Sequence, residues 1–312
     1  MTFRKITVQG ISEILGVDFL GESMEINALN LANRELKGNN LTYVGHESYL
    51  RYLDQKEIVC ALITEEHFNL LEPKLKCEIA FFLVEEPEKE FYKLHHYLYE
   101  RTDFYLPNLE ASSCVGENVT IHPTAVIEDG VIIKNNVQVG PNAVIHTGSV
   151  IGNNVVINAG VIIGEEGFQV LYNDEVPYLV KHVGGVLIHD NVSIGANTCI
   201  AKSLFDGYTE IGASTKIDNL VSIAHNCKIG ENCVLTSGVI MTGSSMLDDG
   251  VWLAPNAVVL NKIKVGKESL VGALALVTKN VEKYTKAFGL PAIKKGRTKP
   301  KLVSENDDSK PN

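Results

Sequence analysis

The sequence predicts a mainly β chain, a parallel β-helix of hexapeptide repeats behind a small N-terminal α/β domain. The first observation is a period of six. Aliphatic residues recur at Val115, Ile121, Ile127, Ile133, Val139, Ile145, Ile151, Ile157 and Ile163. The series resumes at Ile188, Ile194 and Ile200, and again from Ile211 through Ile223, Met241 and Val259 to Val277. The second is the residue that follows, often glycine, as in Val139-Gly140 and Ile229-Gly230. The third is the lack of any sustained 3.6-residue period through this region, which excludes amphipathic helices.

A six-residue period builds short flat strands joined by tight corners, and three hexads close one triangular coil. The aliphatic residues point inward and stack on their equivalents in neighbouring coils. Gly, Asn and Asp suit the left-handed backbone of the corners. The series gives about eight coils, a prism roughly 35–40 Å long at one strand spacing per coil.

Residues 1–104 carry no hexads. Apolar runs at 58–63 and 79–84 predict strands, and 11–15 and 91–99 predict helices. Residues 105–114, with Pro107, form a linker, and 115–280 the repeat domain. Residues 168–187 interrupt it as a loop insertion outside the wall, and 201–210 form a smaller bulge. From 281 a cap around Phe288-Gly289-Leu290-Pro291 closes the prism. Residues 294–312 read as a charged disordered tail.

At 312 residues with a net charge of −10, the chain is large enough for two or three domains and ill suited to a nucleic-acid groove. A local basic patch for an acidic carrier stays open. Met1–Gly10 has no apolar run of a signal peptide, and no stretch has the length of a membrane span. The six cysteines are scattered without a CxxC pair, which predicts free thiols in a reducing cytoplasm and no zinc site.

Of nine histidines, His122, His146 and His189 occupy places where glycine is common and are merely tolerated there. His95 and His96 fall on a surface helix. His225 differs. It stands two residues after an inward aliphatic, so its ring points outward from a flat face. From position alone, a solvated or subunit-packed histidine serves as well as a catalytic base. Gly243 stands one full coil later, directly above. A base beside a backbone N–H is the pairing that acyl transfer needs, one to take the amine proton and one to hold the oxyanion. Cys227, two residues on, points elsewhere and reads as structural. Zinc catalysis of the trimeric carbonic anhydrase kind needs several converging histidines, and no paired spacing recurs here.

Ile217-Asp218-Asn219 through Ile223-Ala224-His225-Asn226, the following Gly238-Val239-Ile240-Met241 and Gly243, Gly164-Glu165-Glu166-Gly167-Phe168, and Leu41-Thr42-Tyr43 through Tyr49 together resemble the UDP-3-O-acylglucosamine N-acyltransferase family of lipid A synthesis. The likeness spans nearly the whole chain. It implies a left-handed parallel β-helix and a cytoplasmic homotrimer with clefts between prisms. It implies His225 as general base and Gly243 as oxyanion donor, with Asp218 and Asn226 positioning base and sugar. Tyr43, Tyr49 and His46 would lie at a uridine site, and Phe168 and His182 along the substrate cleft. No cofactor or metal is implied beyond an acyl carrier protein or acyl-CoA thioester as co-substrate.

The chain departs from the family pattern at Ala201-Lys202-Ser203, where Asp-Arg-Gly is usual. It also departs at Lys262, where a second histidine falls, and at His46, where asparagine falls. The family's C-terminal helical extension is reduced to a short tail. These departures leave a second expectation open, N-acylation of another nucleotide amino sugar from acyl-CoA. A third is a non-catalytic prism that binds a nucleotide sugar or a partner.

Overall fold

The computed structural model describes residues 3–34, 36–105, 114–173 and 175–297. The chain divides into two compact units, 1–110 with 169–183, and 111–168 with 184–312.

The first unit is built on a five-stranded sheet. Its central strand, Ile58–Ile63, is buried at every residue, which is why it reads as an unbroken apolar run rather than an alternation. It pairs in parallel with Asn40–Tyr43 on one side and Ala80–Leu83 on the other. The helix Val8–Leu15 opens on Thr7, whose side chain accepts from the Gly10 amide, and ends on Gly16 in the left-handed region. The helix Pro87–Arg101 starts at a proline and buries Phe91, Leu94, His95 and Leu98.

His95 is therefore a core residue, 1% exposed, and not the surface histidine expected. Its Nε2 lies 2.8 Å from the Lys181 carbonyl and its Nδ1 2.7 Å from the Tyr105 hydroxyl. A carbonyl only accepts, so Nε2 carries the proton and the Tyr105 hydroxyl donates to Nδ1. Lys181 belongs to the 168–187 insertion. That insertion is a β-hairpin, Val170–Asn173 against Val176–Leu179, and residues 169–183 fold with the first unit. Most of the expected linker, residues 106–113, lies outside the described residues.

The second unit is the left-handed parallel β-helix. Three sheets of eight, eight and ten strands form its faces, parallel throughout except for the last strand of the ten. Ile127, Ile145, Ile163, Ile200, Ile223, Met241, Val259 and Val277 stack in register along one face. The buried stack runs from Val131 to Val277 as one cluster. Asparagines 118, 136, 142, 154, 191, 197, 226, 232 and 256 take the left-handed conformation at corners, which asparagine tolerates better than most side chains. Neighbouring coils are also tied at the corners. Asn118, Asn136, Asn154 and Asn191 form a side-chain ladder. The bulge at 201–210 is anchored by fully buried Phe205.

Beyond the last coil, Thr285–Phe288 extends the ten-stranded sheet by pairing with Leu270–Val271. Ile293–Arg297 returns antiparallel beside it. Residues 294–297 are thus a strand and not part of a disordered tail. Their backbone fills an edge left open at the prism end, a gain that charged side chains do not signal. Residues 298–312 lie outside the described residues. Among the described residues no helix is long and apolar enough to cross a membrane.

Candidate active site

His225 follows the strand Ser222–Ile223 and stands at the corner where its sheet ends. The backbone turns sharply at the next residue, Asn226, with φ 61°. This turn brings the asparagine side chain back beside the ring, with Oδ1 3.0 Å from His225 Nδ1. The same Oδ1 accepts from the Leu204 amide at 3.2 Å. The Leu204 N–H can only donate, so the amide oxygen must face it, and His225 Nδ1 must then carry a proton. In the neutral form of the ring the lone pair then lies on Nε2.

Nε2 lies over Gly243 one coil on. A Cβ built on Gly243 would meet Nε2 at 2.8 Å and Cε1 at 2.9 Å, so only glycine lets the ring settle there. The Ser244 amide donates to the His225 carbonyl at 2.9 Å. At many other corners the outward amide is capped by a side chain from the next coil. The Glu117, Asn135, Asn153 and Glu231 amides donate to Asn135, Asn153, Asp190 and Asp249 in this way. Among the described residues the Gly243 amide donates to no such group. The corner thus joins an Nε2 lone pair to an uncapped N–H, the two groups that proton removal and oxyanion stabilisation call for.

The same corner carries charge in the preceding coils. His146 Nδ1 lies 2.9 Å from Glu128 and its Nε2 3.6 Å from Glu165. His146 is therefore an ion-pairing residue and more than tolerated. Burial alone would raise the Glu128 pKa, but the Thr147 amide and His146 outweigh it and hold the carboxyl below its ordinary range. Lys202 pairs with Glu166 at 2.9 Å. Lys262, whose amide donates to the Gly243 carbonyl at 3.2 Å, stands one coil beyond, exposed. These two departures from the family pattern flank His225 along one edge.

Asp218 is not brought to this corner within one chain. It stands at the end of Lys216–Ile217, in a different sheet, and its carboxylate accepts from the Asn219 and Ser237 amides at 2.8 and 3.2 Å. Cys227 is buried, with Sγ 3.4 Å from the Ser245 hydroxyl, and burial pushes its thiol up to about 11. It is not poised as a nucleophile at neutral pH. Phe168 is 78% exposed.

In the first unit, the Tyr43 ring packs against Phe91 and Tyr92, and its hydroxyl donates to Glu88 at 2.9 Å. Burial, then Tyr92 and Glu88, pushes this phenol far above its ordinary range. Glu88 and Tyr92 help to line a depression of about 470 Å³ with Gly45, Thr64 and Tyr178. Tyr49 packs on Tyr52, with ring centres 5.9 Å apart. His46 caps the turn Glu47–Tyr52, accepting from the Ser48 amide. His182 is 1% exposed, with Nδ1 3.0 Å from the Val180 carbonyl, an interior residue where a cleft-lining one was expected. Arg34, a residue with no sequence motif to mark it, lies half-buried near Tyr92 and Tyr43, and loss of solvent lowers its pKa. Among the described residues no three metal-ligating side chains converge.

The family model for bacterial transferase hexapeptide (six repeats) matches residues 114–147, 130–165 and 208–243. The UDP-3-O-acylglucosamine N-acyltransferase of Campylobacter lari is 32% identical over 92% of this chain and 93% of its own. That of Campylobacter jejuni strain RM1221 is 34% identical over 91% and 92%. The Caulobacter relative of the same name is 38% identical over 43% of this chain and 39% of its own length. Among solved structures, a UDP-N-acetylglucosamine acyltransferase from Bacteroides fragilis matches with TM-score 0.55 and 26% identity, over 60% of this chain and 71% of that one. Its Campylobacter jejuni counterpart matches at TM-score 0.54 and 23% identity with the same coverage, a likeness of fold.

Proposed function

The chain belongs to the UDP-3-O-acylglucosamine N-acyltransferase family, and from that premise we propose that it acylates the sugar amine of UDP-3-O-acylglucosamine in lipid A synthesis. The donor is a (3-hydroxy)acyl thioester of acyl carrier protein. The observation that carries this reading is the His225 ring, held at Nδ1 by Asn226 with Nε2 over the uncapped Gly243 amide.

The reaction follows from that geometry. The amine attacks the thioester carbonyl carbon while Nε2 takes the amine proton, and a C–N bond forms. The carbonyl oxygen becomes an oxyanion and accepts from the Gly243 N–H. As the intermediate collapses, the C–S bond breaks, and the departing sulfur takes the proton from the imidazolium. The products are an amide and a thiol, with His225 neutral again. Tyr43, His46 and Tyr49 contribute the uridine site. Phe168 and Asp218 contribute to holding the acceptor, Asp218 from a neighbouring prism.

Two further observations support the partners in this reading. The outward positions of the sheet ending at His225 are mostly apolar, including Val126 at 52% and Ile240 at 42% exposure. This row suits burial against a second copy, as a cytoplasmic homotrimer requires. Residues 261–297 hold nine lysines and arginines against two glutamates, on a chain of net charge −10. Such a local patch suits an acidic carrier protein. This end of the prism carries the hairpin that contains Lys294, Lys295 and Arg297.

The departures at Ala201-Lys202-Ser203 and Lys262 flank the base and favour one second reading, N-acylation of another nucleotide amino sugar from acyl-CoA. The test pairs donors and acceptors with purified protein, read by mass spectrometry. UDP-3-O-(3-hydroxyacyl)glucosamine is offered with 3-hydroxyacyl carrier protein, beside UDP- and dTDP-amino sugars with acyl-CoAs. Product from the first pair, lost in H225A, supports the first reading. Product only from the panel supports the second. Full activity in H225A overturns both.

A further inference from the structure

We propose that Ser203 is a positioning residue for the base: by accepting from Asn226 Nδ2 it holds the side chain where Oδ1, oriented by the Leu204 amide, keeps His225 in the Nδ1–H form. The inference rests on His225 acting as the base.

The Asn226 side chain is bound on every side. Its Nδ2 donates to the Ser203 hydroxyl oxygen in a short contact. Its Oδ1 accepts from the Leu204 amide and from His225 Nδ1. Its backbone N–H donates to the Thr209 hydroxyl at 2.8 Å. An asparagine amide has an oxygen end and a nitrogen end of nearly the same shape, so packing does not tell them apart. Hydrogen-bond chemistry does. The Leu204 N–H only donates and so sets the oxygen on its side, while the Ser203 hydroxyl, which could serve either end, accepts from the nitrogen and keeps the side chain within reach of both partners. If the amide turned over, its NH₂ would face His225 Nδ1 and the Leu204 N–H. The first contact draws the ring proton to Nε2, which removes the basic lone pair from the atom beside Gly243.

Ser203 is itself held in place. It is 1% exposed. Its amide donates to the Gly185 carbonyl at 3.1 Å, and its carbonyl accepts from the Gly184 amide at 3.0 Å. A Cβ on Gly184 would meet the Phe205 carbonyl at 2.2 Å and Ser203 Cβ at 2.6 Å, so that close approach depends on glycine. The serine thus joins the strand where the chain re-enters the prism to the tautomer of the base. It touches no reacting atom and acts only through Asn226.

The test uses the full-length protein with Ser203→Ala and Ser203→Gly, two variants that remove the hydroxyl and add no atoms. Two readouts are taken. One is kcat and KM for both substrates. The other is the imidazole ¹⁵N spectrum of histidine-labelled protein, with the His225 resonances assigned by their loss in H225Q. The wild type is expected to show the Nδ1–H tautomer. Both variants are expected to show a tautomer mixture and a kcat lowered about 10-fold or more, bounded by the 10²–10⁴-fold worth of a general base, with KM unchanged. A purely structural role for Ser203 would leave the tautomer signature as it is. Wild-type kcat and an unchanged Nδ1–H signature in both variants, with H225Q inactive, overturn the proposal. Wild-type activity in H225Q overturns the underlying assignment of the base instead.

Discussion

Replacing Gly243 with alanine displaces the His225 ring while leaving the rest of the corner intact. The new methyl would lie 2.8 Å from His225 Nε2 and 3.4 Å from Cδ2. To restore contact at about 3.4 Å or more, the ring has to withdraw by about 0.6 Å at Nε2. Gly243 is not among the residues with positive φ, so alanine fits its backbone. The N–H that would hold the oxyanion remains, and the chain gains about 0.4–1 kcal/mol through a less flexible unfolded state, offset by the crowding. A misplacement of about 1 Å can cost about 100-fold in rate. A shift of this size therefore predicts a kcat lower by roughly 10- to 100-fold, with KM near wild type. Steady-state kinetics with matched donor and acceptor measure the first quantity, and calorimetry the thermal midpoint. Wild-type kcat in G243A would refute the geometric argument. So would a loss of activity that tracks a lowered midpoint, because the damage would then be to folding.

Four other outcomes are expected. Ile200→Ala, at a fully buried position in the stack, should cost about 2–5 kcal/mol in urea unfolding, and a smaller loss would mean the coil collapses around the gap. Charge reversal at Lys283, Lys286 and Lys295 should raise KM for a carrier-protein thioester, most at low salt, and leave KM for the matching acyl-CoA unchanged. Because Cys227 and Cys233 are pushed up to about 11 by burial, both stay protonated at pH 7–8. Iodoacetamide should therefore label exposed Cys77 and Cys114 first, by peptide mass spectrometry, without loss of activity. Glu128 has a folded pKa below its ordinary range, so its contribution to stability is present above that range and fades as pH falls through the folded pKa. Glu128→Gln should flatten the dependence of stability on pH on the acid side, measured by denaturant titration.

The prism was legible because a period of six leaves few alternatives. Ile223 pointing inward places His225 outward, and counting one coil reaches Gly243, whose alignment the structure bears out. Counting fails where the period breaks. The bulge at 201–210 contains Ser203 and Leu204, and no spacing rule tells which of its residues returns to Asn226. His95 was misplaced because its helix buries a broad face in a small unit, and an imidazole satisfied by Tyr105 and Lys181 costs little to enclose. His146 was undervalued although Glu128 lies one coil before it, a spacing that the repeat makes significant. The strand at Ile293–Arg297 is held by main-chain pairing, to which its lysines give no clue.

The stacking of coils has a consequence for how such a site can change. His225 and Gly243 are separated by one β-sheet spacing, set by backbone hydrogen bonds that no side-chain substitution alters. The step between the two backbones is thus quantised. Selection can exchange the side chains around it, as at Lys202 and Lys262, or crowd the ring as an alanine at Gly243 would, but cannot tune the main-chain step itself. A single inserted residue between the two would throw the later strand onto the wrong pleat, while a whole extra coil would double the separation. Variation is therefore channelled into side chains, and the coil step beneath them is inherited unchanged.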